Sequence, residues 1–349
     1  MDFRTFLALA LQQPAVLAAA ILTLGVILVN GWTDAPNAIA TSVATHAMSL
    51  RSAVCLAAIC NFLGLLVMTL CSTKVAVSIY QMVDFGGNAA DASIALCVAL
   101  FSIVLWATLA WRFGIPTSES HALIAGLSGA AIALHGSLAG INAAQWNKVL
   151  LGLLLSTVGG FFGGFLSVHL VGLLFRRLQR GQAVHFFRAA QIAGSICAAF
   201  LHGAQDGQKF VGVFLLAVSL AAGQGGNTVF QIPLWLMLLC AVVMALGTSF
   251  GGGRIIQTVG VDMVRLEPYQ GFASDLASAG CLLSASVWGL PVSTTHTKTS
   301  AIMGVGAAGG ISAVNWSIVR DMLLAWLLTF PGCGLLSFLS VRLILLFSV

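Results

Sequence analysis

Gly114-Ile115-Pro116-Thr117-Ser118-Glu119-Ser120-His121 returns 175 residues later as Gly289-Leu290-Pro291-Val292-Ser293-Thr294-Thr295-His296. The octamers share the skeleton G-x-P-x-S-x-x-H, and each is embedded in apolar sequence. Two further pairs keep the same order. Asn30-Gly31-Trp32-Thr33-Asp34 is echoed by His202-Gly203-Ala204-Gln205-Asp206 at an offset of 172. Ile141-Asn142-Ala143-Ala144-Gln145-Trp146 is echoed by Ile311-Ser312-Ala313-Val314-Asn315-Trp316 at an offset of 170. Three landmarks in one order at nearly one offset identify a duplicated unit.

The duplicated polar residues sit in an apolar chain. Of 349 residues, 59% are hydrophobic and 7% are charged, against about 25% charged in soluble domains. Mean hydropathy is +1.02. Six runs contain no Asp, Glu, Lys or Arg: 5–33, 52–73, 92–111, 149–175, 210–253 and 322–341. A membrane-spanning helix needs roughly 20 apolar residues, so these runs exclude a soluble fold. They also exclude a transmembrane barrel, whose strands would alternate over short segments. The first run is too long and too poor in basic residues for a cleaved signal peptide, and reads as a retained helix. The eight cysteines are scattered without a C-x-x-C pattern and read as small buried hydrophobes. The net charge of +5 gives no reason to expect nucleic acid, because four arginines fall in one stretch.

That stretch, 176–188, is basic and lies at the midpoint of the chain. Basic loops stay cytoplasmic, so it reads as a cytoplasmic linker between a first repeat (1–175) and a second repeat (189–349). An odd number of crossings per repeat would invert the second relative to the first, the arrangement that places a transporter's site at the midplane. Both termini would then lie outside. The expected fold is an all-α polytopic membrane protein, an inverted-repeat transporter of about 10–12 helical segments including broken helices and re-entrant hairpins. In copy one, helices are expected over 6–29, 34–48, 50–72, 92–112, 120–137 and 146–176, with a break at Asn30-Gly31. The short segments after Pro116 and Pro291 are expected to dip into the membrane and return, which irregular backbone can do only inside protein or along an aqueous cavity.

Gly31 and Pro36 punctuate the first helix, and Thr33 or Asp34 is placed to cap the piece that follows. Asp34 and Asn37 share a helix face. With freed backbone carbonyls they offer oxygen ligands to a small hard cation. A plain cap at a kink would explain Asp34 alone. It does not explain Asp206 at the matched place, where Gly203 and Gly207 are expected to loosen the backbone again. An intramembrane carboxylate costs at least about 2.5 kcal/mol at the bilayer centre, so a repeated one implies a use. Lys209 stands where copy one has Asn37, either paired with Asp206 or beside a bound anion.

In the repeated octamers, proline turns the preceding residue away from helix, and Ser118 and Ser293 can cap new helices. Such N-termini present free N–H groups and a positive dipole end to anions. The side chains of Ser118, Glu119, Ser120, Ser293, Thr294 and Thr295, with Asn37 and Lys209, form a candidate cage for a tetrahedral oxyanion. One copy alone would read as an ordinary N-cap; two matched copies favour a substrate site. His121, His296 and His202 read as supports rather than ligands. Asp275 lies on an apolar helix before the second octamer and is a candidate cation or proton site, with Asn61 taken as its counterpart in copy one. A structural pair between Asp275 and Arg254 is the bland alternative. The candidate cation set is Asp34, Asn37, Asp206, Asp275 and Asn61, with no resident metal or cofactor beyond the coupled ion.

These residues resemble the inorganic phosphate transporter (PiT) family of sodium-dependent and proton-coupled phosphate symporters. Gly31-Trp32-Thr33-Asp34-Ala35-Pro36-Asn37-Ala38 resembles its first signature, roughly G-x-N-D-x-x-N-A, except at Thr33. His202-Gly203-Ala204-Gln205-Asp206 resembles the second, with Gln205 in an asparagine place. The P-x-S-x-x-H elements match in both halves. The resemblance implies phosphate as substrate, sodium or protons as the coupled cation, a homodimer, and a short prokaryotic form in the cell's inner membrane. Many members carry glutamate where Asn61 stands. The site's acids agree with symport, because an anion enters such a pocket only with a cation. The competing readings are a carrier of sulfate or another oxyanion, an intramembrane aspartyl hydrolase using Asp34 and Asp206, and a passive channel.

Overall fold

Without water to satisfy peptide groups, a spanning segment must close its own hydrogen bonds, and the described residues are accordingly helical with no strand. The computed structural model describes residues 2–86, 88–113, 115, 117–221, 231–250 and 252–347. After α1 (Phe3–Gln12), copy one comprises α2 (Pro14–Thr33), α3 (Ala35–Ala44), α4 (Leu50–Cys71), α5 (Lys74–Tyr80), α6 (Ala89–Arg112) and α7 (Glu119–His135). It closes with α8 (Ala143–Leu154) and α9 (Gly160–Leu174), joined by a π-helical turn at Leu155–Gly159. Copy two comprises α10 (Arg180–Ala221), α11 (Leu234–Ser249), α12 (Gly253–Ile256) with a π-helical extension Gln257–Asp262, α13 (Pro268–Trp288), α14 (Thr294–Ala308) and α15 (Trp316–Phe347). Among the described residues six helical segments are long and apolar enough to cross a membrane: Pro14–Ala44, Leu50–Cys71, Ala89–Arg112, Ala143–Leu174, Gly181–Leu220 and Trp316–Phe347. The chain is a multi-pass membrane protein. Its outer surface is apolar, with Leu327, Leu328 and Leu343 exposed.

The duplication is visible in the packing. The two copies interlock reciprocally: α2 packs on α11 and α4 on α10, while α7 packs on α15 and α14 on α9. An isolated bridge joins Val83 to Ile141 in copy one, and Val264 to Val314 in copy two. Lys74 at the start of α5 donates to the Val287 carbonyl at the end of α13, at 3.0 Å. Arg254 at the start of α12 donates to the Arg112 carbonyl at the end of α6, at 2.8 Å. Each copy thus caps, with a cation, the helix that leads into the other copy's octamer; a cation there also favours the helix dipole. Close approach is made by glycines. A Cβ on Gly129 would collide with the Gly334 carbonyl, and one on Gly304, 175 residues on, with that of Phe161. These are the small-residue crossings expected between membrane helices.

Helices α7 and α14, of 17 and 15 residues, are too short to span and are almost wholly buried. They are the segments expected to dip in and return. Gly114 and Pro116, which lead into α7, lie outside the described residues. Several expectations are corrected. The first helix is divided at Gln13, because Pro14 starts α2 at its first turn. The break falls at Asp34 rather than at Asn30-Gly31, which remain helical. Helix α10 passes through Gly203 and Gly207 unbroken. Those glycines bring α10 against Asn61 and Leu65 of α4 instead of loosening the chain. Helix α10 also begins at Arg180, so most of the stretch 176–188 is helical. Short α5 was not anticipated. All eight cysteines are free.

Candidate substrate and cation site

The two serine caps meet. Ser118 accepts from the His121 backbone N–H at 3.3 Å, and Ser293 from that of His296 at 3.1 Å, so each caps its helix as expected. The Ser293 hydroxyl then donates to the Ser118 hydroxyl at 2.8 Å. Two helix N-termini separated by 175 residues of sequence therefore face each other inside the protein. Behind them His121 and His296 pack edge to face, with ring centroids 4.3 Å apart. His296 stacks on Trp326 and His121 lies against Phe330, both from α15. The histidines buttress the caps.

Asp34 does not cap the helix that it starts. Its Oδ2 accepts the backbone N–H of Glu119, the first residue of α7, at 3.3 Å. The carboxylate thus faces the positive end of the neighbouring helix, with the Thr295 side chain as a further partner. Asn37 donates to the Asp34 carbonyl at 3.1 Å and to the Thr295 hydroxyl at 3.0 Å. Asp206, buried completely, accepts from Asn30 at 3.1 Å, Thr294 at 3.0 Å and Ser120 at 3.4 Å. Lys209 donates to Asp206 and Ser120, each at 2.6 Å, and to the Val292 carbonyl at 2.5 Å. Its three protons are used, which makes it the partner of Asp206. Asn30, Asp34, Asn37, Ser118, Glu119, Ser120, Asp206, Lys209, Ser293, Thr294 and Thr295 therefore form one buried polar cluster drawn from α2, α3, α7, α10 and α14 and their caps.

Two acceptors in this network are idle, and a third group is under-supplied with donors. Asn30 Oδ1 and Asn37 Oδ1 are buried and accept no hydrogen bond, and the buried Glu119 carboxylate has only the Asn30 side chain as a donor. Buried polar atoms are normally paired, and this set consists of oxygens around Asp34. Such a donor set suits a small hard cation, or a ligand that brings its own protons.

Two sequence candidates lie elsewhere. Asp275 accepts from Thr41 at 2.8 Å and Ser195 at 3.2 Å, and pairs with Lys298. Arg254 is not its partner; that side chain lies over Trp111 and caps α6. Asn61 is not its counterpart, because α4 matches α11 in element order while α13 matches α6. Asn61 donates to Thr248 at 3.0 Å and meets His202 Nδ1 at 3.0 Å; His202 Nε2 lies 3.3 Å from Asp206. Asn61 thus reaches the main network only through His202. Gln205 turns away, donating to Ser286 at 2.9 Å. Sequence reasoning gave no role to Asn30, Thr41 or Ser195, and counted Lys298 only among the charges facing the acids.

Comparison with known proteins follows the same architecture. The phosphate transporter family matches residues 30–183 and 174–337. A Bacillus subtilis protein named "Probable low-affinity inorganic phosphate transporter" is 37% identical over 303 residues, 87% of this chain and 89% of its own. A Rhizobium meliloti protein of the same name is 36% identical, over 88% of this chain and 90% of its own. Among solved structures, "The sodium-dependent phosphate transporter" aligns with a TM-score of 0.86, covering 96% of this chain and all of that one, at 23% identity. That likeness establishes a shared fold.

Proposed function

Since the chain belongs to the phosphate transporter family, we propose that it is a symporter that imports inorganic phosphate with a cation, sodium or a proton, by alternating access. Membership places it among transporters rather than enzymes, so the aspartyl hydrolase reading falls away. The observation that carries the proposal is the meeting of the two serine caps beside Asp34 and Asp206, all buried within the helical protein.

Charge decides for symport over unaccompanied anion passage. The buried centre holds the acids Asp34, Glu119, Asp206 and Asp275 against the lysines 209 and 298. Adding a phosphate anion to this balance without a cation would be repelled strongly in a medium of low dielectric. A cation bound by Asp34, Asn37, Glu119 and the idle Oδ1 of Asn30 offsets that charge. Phosphate would then displace the Ser118–Ser293 contact and take hydroxyl donors from Ser118, Ser120, Ser293, Thr294 and Thr295, with the two helix N-termini behind them. A protonated phosphate oxygen can donate to a carboxylate oxygen of Glu119. Sulfate has no proton to give at neutral pH, and an unpaired buried acceptor costs about 1–3 kcal/mol.

The proposal also places the chain in the plasma membrane of a prokaryotic cell as a homodimer, with the repeats inverted about residues 176–188. The test is uptake of labelled phosphate into proteoliposomes under separately imposed sodium and proton gradients. Accumulation above equilibrium under one gradient is expected. Equilibration alone would favour a channel, and complete competition by equimolar sulfate would refute the phosphate selectivity.

A further inference from the structure

The Asp275 cluster is built like a cation site, and it already contains a cation. Thr41 from α3, Ser195 from α10, Asp275 from α13 and Lys298 from α14 converge from both copies, and all are buried. Thr41 and Ser195 donate to opposite oxygens of Asp275, at 2.8 and 3.2 Å. The Lys298 ammonium lies on Oδ1 of the same carboxylate and reaches the Thr41 hydroxyl at 3.2 Å. Gly194 lets α10 press directly on the Asp275 side chain; a Cβ there would stand 2.8 Å from that of Asp275. A carboxylate with two hydroxyls, closed off from water, is a hard-oxygen set of the kind that holds a dehydrated alkali cation.

We propose that Lys298 is a tethered counter-ion occupying what would otherwise be a sodium site made by Asp275, Thr41 and Ser195. It thereby removes that site from the set open to mobile cations. This rests on the cation-coupled reading given above and deepens it: Asp34 with its idle neighbouring oxygens is left as the place where a mobile cation is taken up. The reasoning is one of electrostatic substitution. A buried carboxylate must be compensated, and an ammonium carried by α14 does so without recruitment from solution. The same device appears at Asp206, where Lys209 uses all its protons on protein acceptors. The position on α14 matters as well. Lys298 stands one turn beyond Thr294 and Thr295, so the pair fixes the substrate-cap helix to α3 and α13.

The experiment is equilibrium binding of radioactive sodium to purified full-length protein, without phosphate, so that it reads independently of transport. Lys298→Ala should bind one sodium ion more than the parent, and Lys298→Ala/Asp275→Asn should lose that gain. Absence of a gain in well-folded Lys298→Ala would overturn the proposal. If Lys298→Ala does not fold, the charge-neutral Lys298→Gln/Asp275→Asn pair decides. Sodium stoichiometry equal to the parent's supports a site already filled by lysine, whereas loss of a bound ion means that Asp275 held a mobile cation and the proposal is wrong.

Discussion

Single residues carry the chemistry here because each buried polar atom has few alternatives. Asp34 accepts the Glu119 N–H across two elements. Asp34→Asn should abolish cation-dependent phosphate uptake while protein still reaches the membrane; uptake at the parental rate would remove Asp34 from the cation site. Lys209 and Asp206 form a buried pair in which neither side chain touches solvent. Removing one partner of such a pair typically costs about 3–5 kcal/mol, because the other is left uncompensated. Lys209→Ala should therefore lower the melting temperature in detergent sharply, and Lys209→Ala/Asp206→Asn should restore much of the loss. Additive losses in the double variant would show that the two do not act as a pair. The sequence disclosed Asp34, Asp206 and the octamer side chains because intramembrane polar residues are costly and these recur. It did not disclose Thr41, Ser195 or the role of Lys298, since a hydroxyl in a membrane helix can satisfy itself on its own backbone. Only tertiary proximity reveals that it is aimed at Asp275.

At the scale of elements, the short helices α7 and α14 are held by reciprocal crossings, α7 on α15 and α14 on α9. Their contact points, Gly129 and Gly304, admit no side chain without colliding with backbone. Gly129→Val and Gly304→Val should each separate a cap helix from its support. Overpacking commonly costs about 1–3 kcal/mol, and a backbone collision puts these at or above the upper end. A clear drop in melting temperature with loss of uptake is expected for both; a variant with parental stability and uptake would refute the crossing's role. Most elements were legible from apolar length and from proline and glycine punctuation. The exceptions have physical causes. The paired glycines of α10 resemble a break in sequence, yet a membrane helix uses glycine as readily to admit a neighbour, and α4 is that neighbour. Short helix α5 places Lys74 to cap α13, a role that no local pattern announces.

For the whole molecule, alternating access needs two halves that can exchange roles, and the exchange is cleanest if they are mirrored across the membrane. The loops that close each copy offer a direct test. They are structurally matched, one bridged by Val83 and Ile141 and the other by Val264 and Val314. Each precedes the terminal spanning helix of its copy, Ala143–Leu174 or Trp316–Phe347. Ser137 and Ser312 are exposed in these loops. The basic charge of the joint after α9 predicts a cytoplasmic position for it, and the loop one crossing before it would then face outward. Inverted repeats would put the second loop inside, with the C-terminus outside. In a cysteine-free background, Ser137→Cys should react with a membrane-impermeant maleimide on intact cells, and Ser312→Cys only after permeabilisation. Labelling of both from the same side would mean parallel repeats. The two serine caps would then approach the centre from one face, and the exchange of open and closed halves proposed for transport would lose its geometric basis.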